Sequence, residues 1–224
     1  MMSDSLPRLA ILGGSGDLGG GLAFRWARAD YPVIIGSRSA DKAAEAATAL
    51  QRRGVSGSVQ GMANEAAAAA GDLVVLTVPF VNQVPTLESV REVLQGKILV
   101  DVTVPLVPPK VGTVQLPPEG SAGQIAQNLL GKGVRVVSAF QNVAAAHLDD
   151  PDHDPDCDVL VCGNDADACR QVLELVAAAG MKGWHAGPIA NAAAAEALTS
   201  VLITLNRRYK IPGAGFRITG VPQV

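Results

Sequence analysis

Aromatic side chains are scarce in this 224-residue chain, where four Phe, two Trp and two Tyr make up 4% of the residues. A core with so few rings must close through aliphatic and small side chains, so its helices are expected to pack closely. Cysteine is sparse as well. Cys157, Cys162 and Cys169 form an odd set without CxxC spacing, which excludes a disulfide framework and suits reduced packing residues. His153 lies near Cys157 and Cys162, but the spacing matches no structural zinc pattern, and no metal is expected. Basic excess is missing too: 18 Lys and Arg against 21 Asp and Glu leave a net charge of −3, which argues against nucleic acid or an anionic membrane as a partner. No uninterrupted apolar run reaches the roughly 18 residues that suggest a membrane span. The opening Met1-Met2-Ser3-Asp4-Ser5 shows no signal-peptide pattern. A soluble, cytoplasmic protein is the expectation.

Short apolar runs and alanine-rich helical stretches are what the chain does contain. Strands are expected at 8–14, 32–36, 58–62, 72–78, 97–102 and 135–140, and helices at 17–29, 39–53, 64–70, 81–94 and 122–130. Ser39 is the expected N-cap of the second helix. Runs such as Val33-Ile34-Ile35 suit strands covered on both faces. The alternation predicts an α/β fold, a Rossmann-type doubly wound parallel sheet. Residues 149–158 are acidic, carry two prolines and break the pattern, as an exposed connection would; they lack the glycine and distal glutamate of a calcium-binding EF-hand loop. Beyond them a strand at 159–163, helices at 166–179 and 190–209 and a strand near Trp184 predict a small C-terminal α/β domain. The expected division is 1–143 for nucleotide binding and 144–224 for the second domain.

The chemistry starts at the first strand. Leu9 to Leu12 leads into Gly13-Gly14-Ser15-Gly16-Asp17-Leu18-Gly19, a GxGxxG turn between strand and helix. In that context Gly14 makes the tight turn, Gly16 lets the backbone approach a pyrophosphate, and Gly19 lets helix and strand pack closely. The helix N-terminus then faces the phosphates. Glycine-rich turns also occur for conformational reasons alone, so the end of the second strand matters more. An NAD enzyme places an acidic residue there for the ribose 2′-hydroxyl; this chain has Gly36-Ser37-Arg38, with Lys42 four residues on. A hydroxyl, a guanidinium and an ammonium suit a 2′-phosphate, so NADP is expected over NAD. Thr77, Val78 and Pro79 close the fourth strand on the nicotinamide side, and Val104-Pro105 and Phe140-Gln141-Asn142 end later strands at the same crevice.

These residues resemble the NADPH-dependent reductases of the deazaflavin coenzyme F420, also called coenzyme F420-dependent NADP oxidoreductases. The resemblance covers nearly the whole chain. It rests on Leu12 through Gly19, on Gly36-Ser37-Arg38 with Lys42, on Gly61-Met62 and Asn64-Glu65, and on Leu76-Thr77-Val78-Pro79. Ser138-Ala139-Phe140, Val161-Cys162-Gly163 and Ala186-Gly187-Pro188 continue it. It implies hydride transfer between NADP(H) and coenzyme F420, a 2′-phosphate held by Ser37, Arg38 and Lys42, and a C-terminal domain that closes the cleft and supports a homodimer. Gln141 and Asn142 stand where better-known members carry histidine and threonine, and Phe80-Val81-Asn82 replaces an aromatic, an acidic residue and a histidine. Gln141 and Asn142 are the candidate catalytic residues, either bonding the acceptor ring or satisfying loop backbone. The changed acceptor side keeps two alternatives open: an NADPH-dependent reductase of a pterin or small imine, and a non-catalytic NADP(H)-sensing module. Arg207, Arg208 and Lys210 fit a solvated helix end, an anionic coenzyme or a dimer partner.

Overall fold

The computed structural model describes residues 6–150 and 152–220; the opening stretch 1–5 lies outside them. Strands β1 (Leu9–Leu12), β2 (Val33–Ser37), β3 (Val59–Ala63), β4 (Leu73–Leu76), β5 (Ile98–Asp101), β6 (Arg135–Ser138), β7 (Asp158–Gly163) and β8 (Lys182–His185) form one sheet in the order β3-β2-β1-β4-β5-β6-β7-β8. Helices α1 (Asp17–Arg28), α2 (Ala40–Arg52), α3 (Asn64–Ala70), α4 (Gln83–Val90), α5 (Ala122–Leu130), α6 (Ala166–Ala178) and α7 (Ala192–Tyr209) connect and cover it.

Alternate residues of each central strand feed opposite cores, as the two-residue period requires. Leu9, Ile11, Val33, Ile35, Val75 and Val100 join one apolar cluster with Leu22, Trp26 and Val172. Ala10, Leu12, Ile34, Val74, Leu76 and Leu99 join a second on the other face with Leu87, Ala126 and Ala192. Burial on both faces is why these strands read as unbroken apolar runs. The strands β1 through β6 pair in parallel, and the order reverses around β1, which lies between β2 and β4. Ligands in such sheets sit beyond the carboxyl ends at that reversal.

Two elements differ from expectation. Strand β7 runs antiparallel to β6. Among its described residues the connection from β6 to β7 contains only a 3₁₀ turn, Ala145–His147, so the chain re-enters the sheet from the end at which it left. A parallel return would need a crossover element of a dozen or more residues; α6 supplies one between β7 and β8, which are parallel. The helix expected over 81–94 is broken into a 3₁₀ turn at Phe80–Asn82, then α4, then a second 3₁₀ turn at Glu92–Leu94.

The segment from residue 144 shares the sheet and the core with what precedes it: Val159, Val161, Val172 and Val176 lie in the same cluster as Leu9 and Leu22. Trp26 on α1 donates its indole N–H to Leu175 O at 2.8 Å. The acidic connection is clamped to the fold. Arg25 donates to the carbonyls of His147, Leu148, Asp150 and His153 at 2.7–3.0 Å. Small residues give the expected close packing; a Cβ on Gly21 would come within 2.6 Å of Leu148 Cβ.

Candidate active site

The glycine turn leaves β1 with Gly13 in the left-handed region, at φ +82°. Gly13 lies one residue before the three that the fingerprint counts, and any side chain there would be strained. A Cβ on Gly14 would fall 2.8 Å from Ile11 O. One on Gly19 would fall 2.5 Å from Thr77 Oγ1 and 2.8 Å from both Gly13 O and Gly14 Cα. Gly16 is different. It is exposed, and its Cβ would meet only Gly13 O, at 3.4 Å. Gly14 and Gly19 are thus small because protein crowds them, whereas Gly16 opens onto free space at the N-cap of α1. The first N–H groups of α1, from Asp17 to Gly19, have no acceptor within the helix, and no side chain caps them from Gly16.

Thr77 ties the turn to the neighbouring strand: its Oγ1 donates to Leu12 O at 3.0 Å, and its backbone N–H donates to the same oxygen at 2.9 Å. Val78 and Pro79 continue along the rim. Across from them Ser37 ends β2 and is buried, while Arg38 and Lys42 extend into solvent. Ser39 caps α2 by accepting from Lys42 N at 3.4 Å, which fixes Lys42 in the first turn. A cleft of about 320 Å³ is lined by Gly13, Ser15 and Gly16 of the turn, by Ser37, Arg38 and Lys42, and by Thr77, Val78 and Pro79. Gly14 and Asp17 line a neighbouring pocket with Ser15 and Gly16, and Leu18 and Gly19 follow in the first turn of α1.

Neither Arg38 nor Lys42 has a carboxylate within ion-pair distance among the described residues. Lys42 in the first turn of α2 and Arg38 just before its N-cap Ser39 both oppose the helix dipole, so an anion is the partner that their placement suits. Asn64 lines the same cleft, and its buried Oδ1 has no hydrogen-bond partner. In the sequence it stood out as the start of a helix and as part of the Asn64-Glu65 stretch that carries the family resemblance. This donor and acceptor set, open at Gly16, fits a dinucleotide with a 2′-phosphate.

On the other side of β4, the ends of β5 and β6 are locked by a buried polar network. Asp101 closes β5 and is fully buried; its carboxylate accepts from Thr103 N at 2.9 Å and from the Gln83 amide on α4. Gln83 also donates to Ala122 O at 2.8 Å. Glu196 on α7 accepts from Ala122 N at 2.6 Å and Gly123 N at 3.0 Å, filling the open N-terminus of α5. Burial pushes the Asp101 carboxyl up, although hydrogen bonding by Thr103 and then Gln83 works against the shift. Burial likewise raises Glu196 to about 8, opposed by its two backbone donors and reinforced by the charge of Asp101. Neither acid was singled out in the sequence. The available signals were a lone carboxylate ending Ile98-Leu99-Val100-Asp101 and a lone one in an alanine-rich helix.

Gln141 and Asn142 belong to this inner layer. Phe140 takes a left-handed φ of +70° and sends its ring against Trp26 at 5.7 Å. Gln141 then turns inward and donates to Asp101 O at 2.9 Å and Ser138 Oγ at 2.7 Å. Asn142 donates to Asp158 O at 2.8 Å. Both are 5% exposed, so their amide nitrogens serve the loop rather than the open crevice. The three cysteines are buried free thiols, and desolvation raises Cys157 and Cys162 to about 11.

Comparison with known proteins agrees with this geometry. A family model described as NADP oxidoreductase coenzyme F420-dependent matches residues 8–105, from β1 past the end of β5. An F420-dependent NADP reductase of Methanocaldococcus jannaschii is 42% identical over 222 residues, covering 96% of this chain and 99% of the relative. The chain belongs to the F420-dependent NADP oxidoreductases. A second reductase of that name, from Methanothermobacter thermautotrophicus, is 39% identical and covers 100% of this chain and 99% of its own. Among solved structures, a candidate F420-dependent NADP reductase from Arthrobacter sp. fb24 superposes with a TM-score of 0.79 at 26% identity, covering 96% of this chain and 100% of that one. An imine reductase from Bacillus cereus, at 18% identity, a TM-score of 0.63 and coverage of 91% and 63%, shares the fold. As a member of its family this F420-dependent NADP oxidoreductase is an NADP-dependent redox enzyme.

Proposed function

We propose that NADP(H) lies along the cleft with its pyrophosphate over Gly14, Ser15, Gly16 and the N-terminus of α1, its 2′-phosphate at Ser37, Arg38 and Lys42, and its nicotinamide beside Thr77, Val78 and Pro79. When both are bound, the nicotinamide and the deazaflavin ring of coenzyme F420 exchange a hydride directly. The protein's part is to hold two rings face to face and to exclude water. Thr77 fixes the β1 and β4 ends against each other; Asp101, Gln83, Glu196 and Gln141 fix the ends of β5 and β6 on the acceptor side. Gln141 and Asn142 act in this reading by holding the loop after β6, with no proton to give. The observation that carries the reading is the pair of exposed, unpaired cations, Arg38 and Lys42, in the same cleft as the glycine turn.

Anaerobic mixing of the protein with NADPH and oxidised F420 tests it through loss of the deazaflavin absorbance. Turnover with NADPH well above that with NADH is expected. Turnover of pterins or small imines but not F420 would replace the acceptor, and nucleotide binding without any turnover would favour a sensing role.

The segment 144–224 has a second part in the proposal. Helix α7, within Ile189–Tyr209, has a mean hydropathy of 1.3, yet only 33% of its apolar window is buried. Ala194, Ala197, Leu198, Val201 and Leu205, spaced as one helical face, remain exposed or half-buried. Glu196 and Ser200 face the core. That stripe suits a second copy of the chain, giving a homodimer that works in the cytoplasm.

A further inference from the structure

Helix α7 ends in a group of cations that the NADP site does not use. Arg207 and Arg208 lie in its last turn, Lys210 follows, and all three are exposed. Thr204 Oγ1 donates to Gly112 O at 2.7 Å, which holds the helix against the loop that follows β5. One turn on, Arg207 Nη1 lies 3.8 Å from where a Cβ on Gly112 would stand. Lys110, exposed, begins the turn that contains Gly112, its carbonyl accepting from Thr113 N at 2.9 Å. Lys110 and Arg207 therefore flank the same joint from two remote parts of the chain. Among the described residues no carboxylate pairs with Lys110, Arg207, Arg208 or Lys210.

A helix C-terminus favours positive charge, which accounts for Arg207 and Arg208. It does not account for Lys110, which is outside the helix and adds repulsion. In a chain of net charge −3, an unpaired basic group of this kind suits an anionic ligand. The 2′-phosphate of NADP has its own cations at the end of β2, on the opposite side of β1 and β4. The basic joint belongs to the acceptor side: Thr199 Oγ1 donates to Gln141 O at 3.0 Å at the end of β6, and Arg207 lies about 12 Å farther along the helix axis.

We infer that Lys110 and Arg207 receive the anionic side chain of the deazaflavin, its phosphodiester and terminal carboxylates, while the ring meets the nicotinamide in the crevice. The inference rests on the deazaflavin reading above. Arg208 and Lys210 strengthen the local field. The arrangement separates two anion sites, one for each redox partner, on opposite sides of β1 and β4 in the sheet order.

Steady-state kinetics with two acceptors test it: coenzyme F420, and its deazariboflavin core, which keeps the ring and sugar alcohol but has neither phosphate nor carboxylates. Arg207→Glu is expected to raise the KM for F420 by roughly tenfold or more, the scale of a lost charge-assisted contact. KM for the core and the Kd for NADPH stay within about twofold, the expectation for contacts the variant does not touch. Added salt raises the wild-type KM for F420 and affects the variant less. Lys110→Glu, on an exposed loop, gives the same pattern and serves if Arg207→Glu does not fold. An unchanged KM for F420, or an equal rise for both acceptors, overturns the inference while leaving the deazaflavin reading intact. Wild-type protein inactive on both acceptors overturns the two together.

Discussion

The two glycines Gly16 and Gly19 look alike in the fingerprint, yet the structure gives them opposite physical roles, and alanine substitution separates them. A Cβ at Gly19 would press on Thr77 Oγ1 at 2.5 Å and on Gly13 O and Gly14 Cα at 2.8 Å. Two of those three atoms are backbone in the turn itself, and Thr77 is held by Leu12 O, so relief requires α1 to move off β1. Overpacking of that kind costs about 1–3 kcal/mol, which lowers Tm by about 2–12 °C for a chain of this size. At Gly16 the nearest atom is Gly13 O at 3.4 Å, and φ −89° with ψ 169° is open to any residue. Alanine there costs only the poorer N-cap, about 0.5–1 kcal/mol. Its methyl group would occupy the space assigned to the pyrophosphate, so NADPH affinity should fall by roughly tenfold or more, the factor that 1.4 kcal/mol of lost contact gives. Thermal unfolding without nucleotide, followed by NADPH titration, measures both quantities for each variant. A Gly16→Ala protein that binds NADPH as the wild type does, or a Gly19→Ala protein of wild-type stability, would refute the assignment.

Arg38→Ala should weaken NADPH binding by about 1.5–3 kcal/mol, the scale of a hydrogen bond to a charged group, and leave NADH binding nearly unchanged; calorimetry with both nucleotides checks this. Glu196 titrates near 8 in the fold against 4.5 for an ordinary glutamate, so the folded chain keeps a proton that the unfolded chain releases. Its stabilising contribution is complete below pH 4.5 and is lost as pH rises through 8. Asp101, also raised, acts in the same direction. Glu196→Gln should flatten the decline in urea-unfolding free energy over that window; an unchanged slope would remove Glu196 as its source. Val201→Glu, on the exposed stripe of α7, should convert a dimer to a monomer in sedimentation experiments, and an unaltered sedimentation coefficient would point the dimer contact elsewhere.

The strand and helix alternation was legible because burial on both faces leaves runs such as Val33-Ile34-Ile35 uninterrupted, and because the glycine turn sits between β1 and α1 where its geometry demands. The cation pair at the end of β2 was legible for a local reason: Ser37, Arg38 and Lys42 lie within six residues of one another and need no tertiary contact to be read. What depended on distant pairing was not. The antiparallel β7 follows from a connection with no crossover helix among its described residues, and its acidic sequence suggested an exposed connection without showing its clamp, because the four carbonyls held by Arg25 leave no trace in residue type. Asp101 and Glu196 meet the same limit. They are 95 positions apart and meet at the first turn of α5 only after folding, Glu196 directly and Asp101 through Gln83. Gln141 read as a polar residue at a strand end, the usual place for a ligand contact, but the left-handed Phe140 turns it inward.

The central claim is direct hydride exchange between two rings that the protein only positions. Single-turnover reaction of NADPH deuterated at nicotinamide C4, on the transferred face, with oxidised F420 in ordinary water tests it most directly. The account predicts one deuterium on C5 of the reduced deazaflavin and a primary isotope effect on the chemical step. Deuterium washed into solvent, or a reduced deazaflavin carrying none, would contradict it.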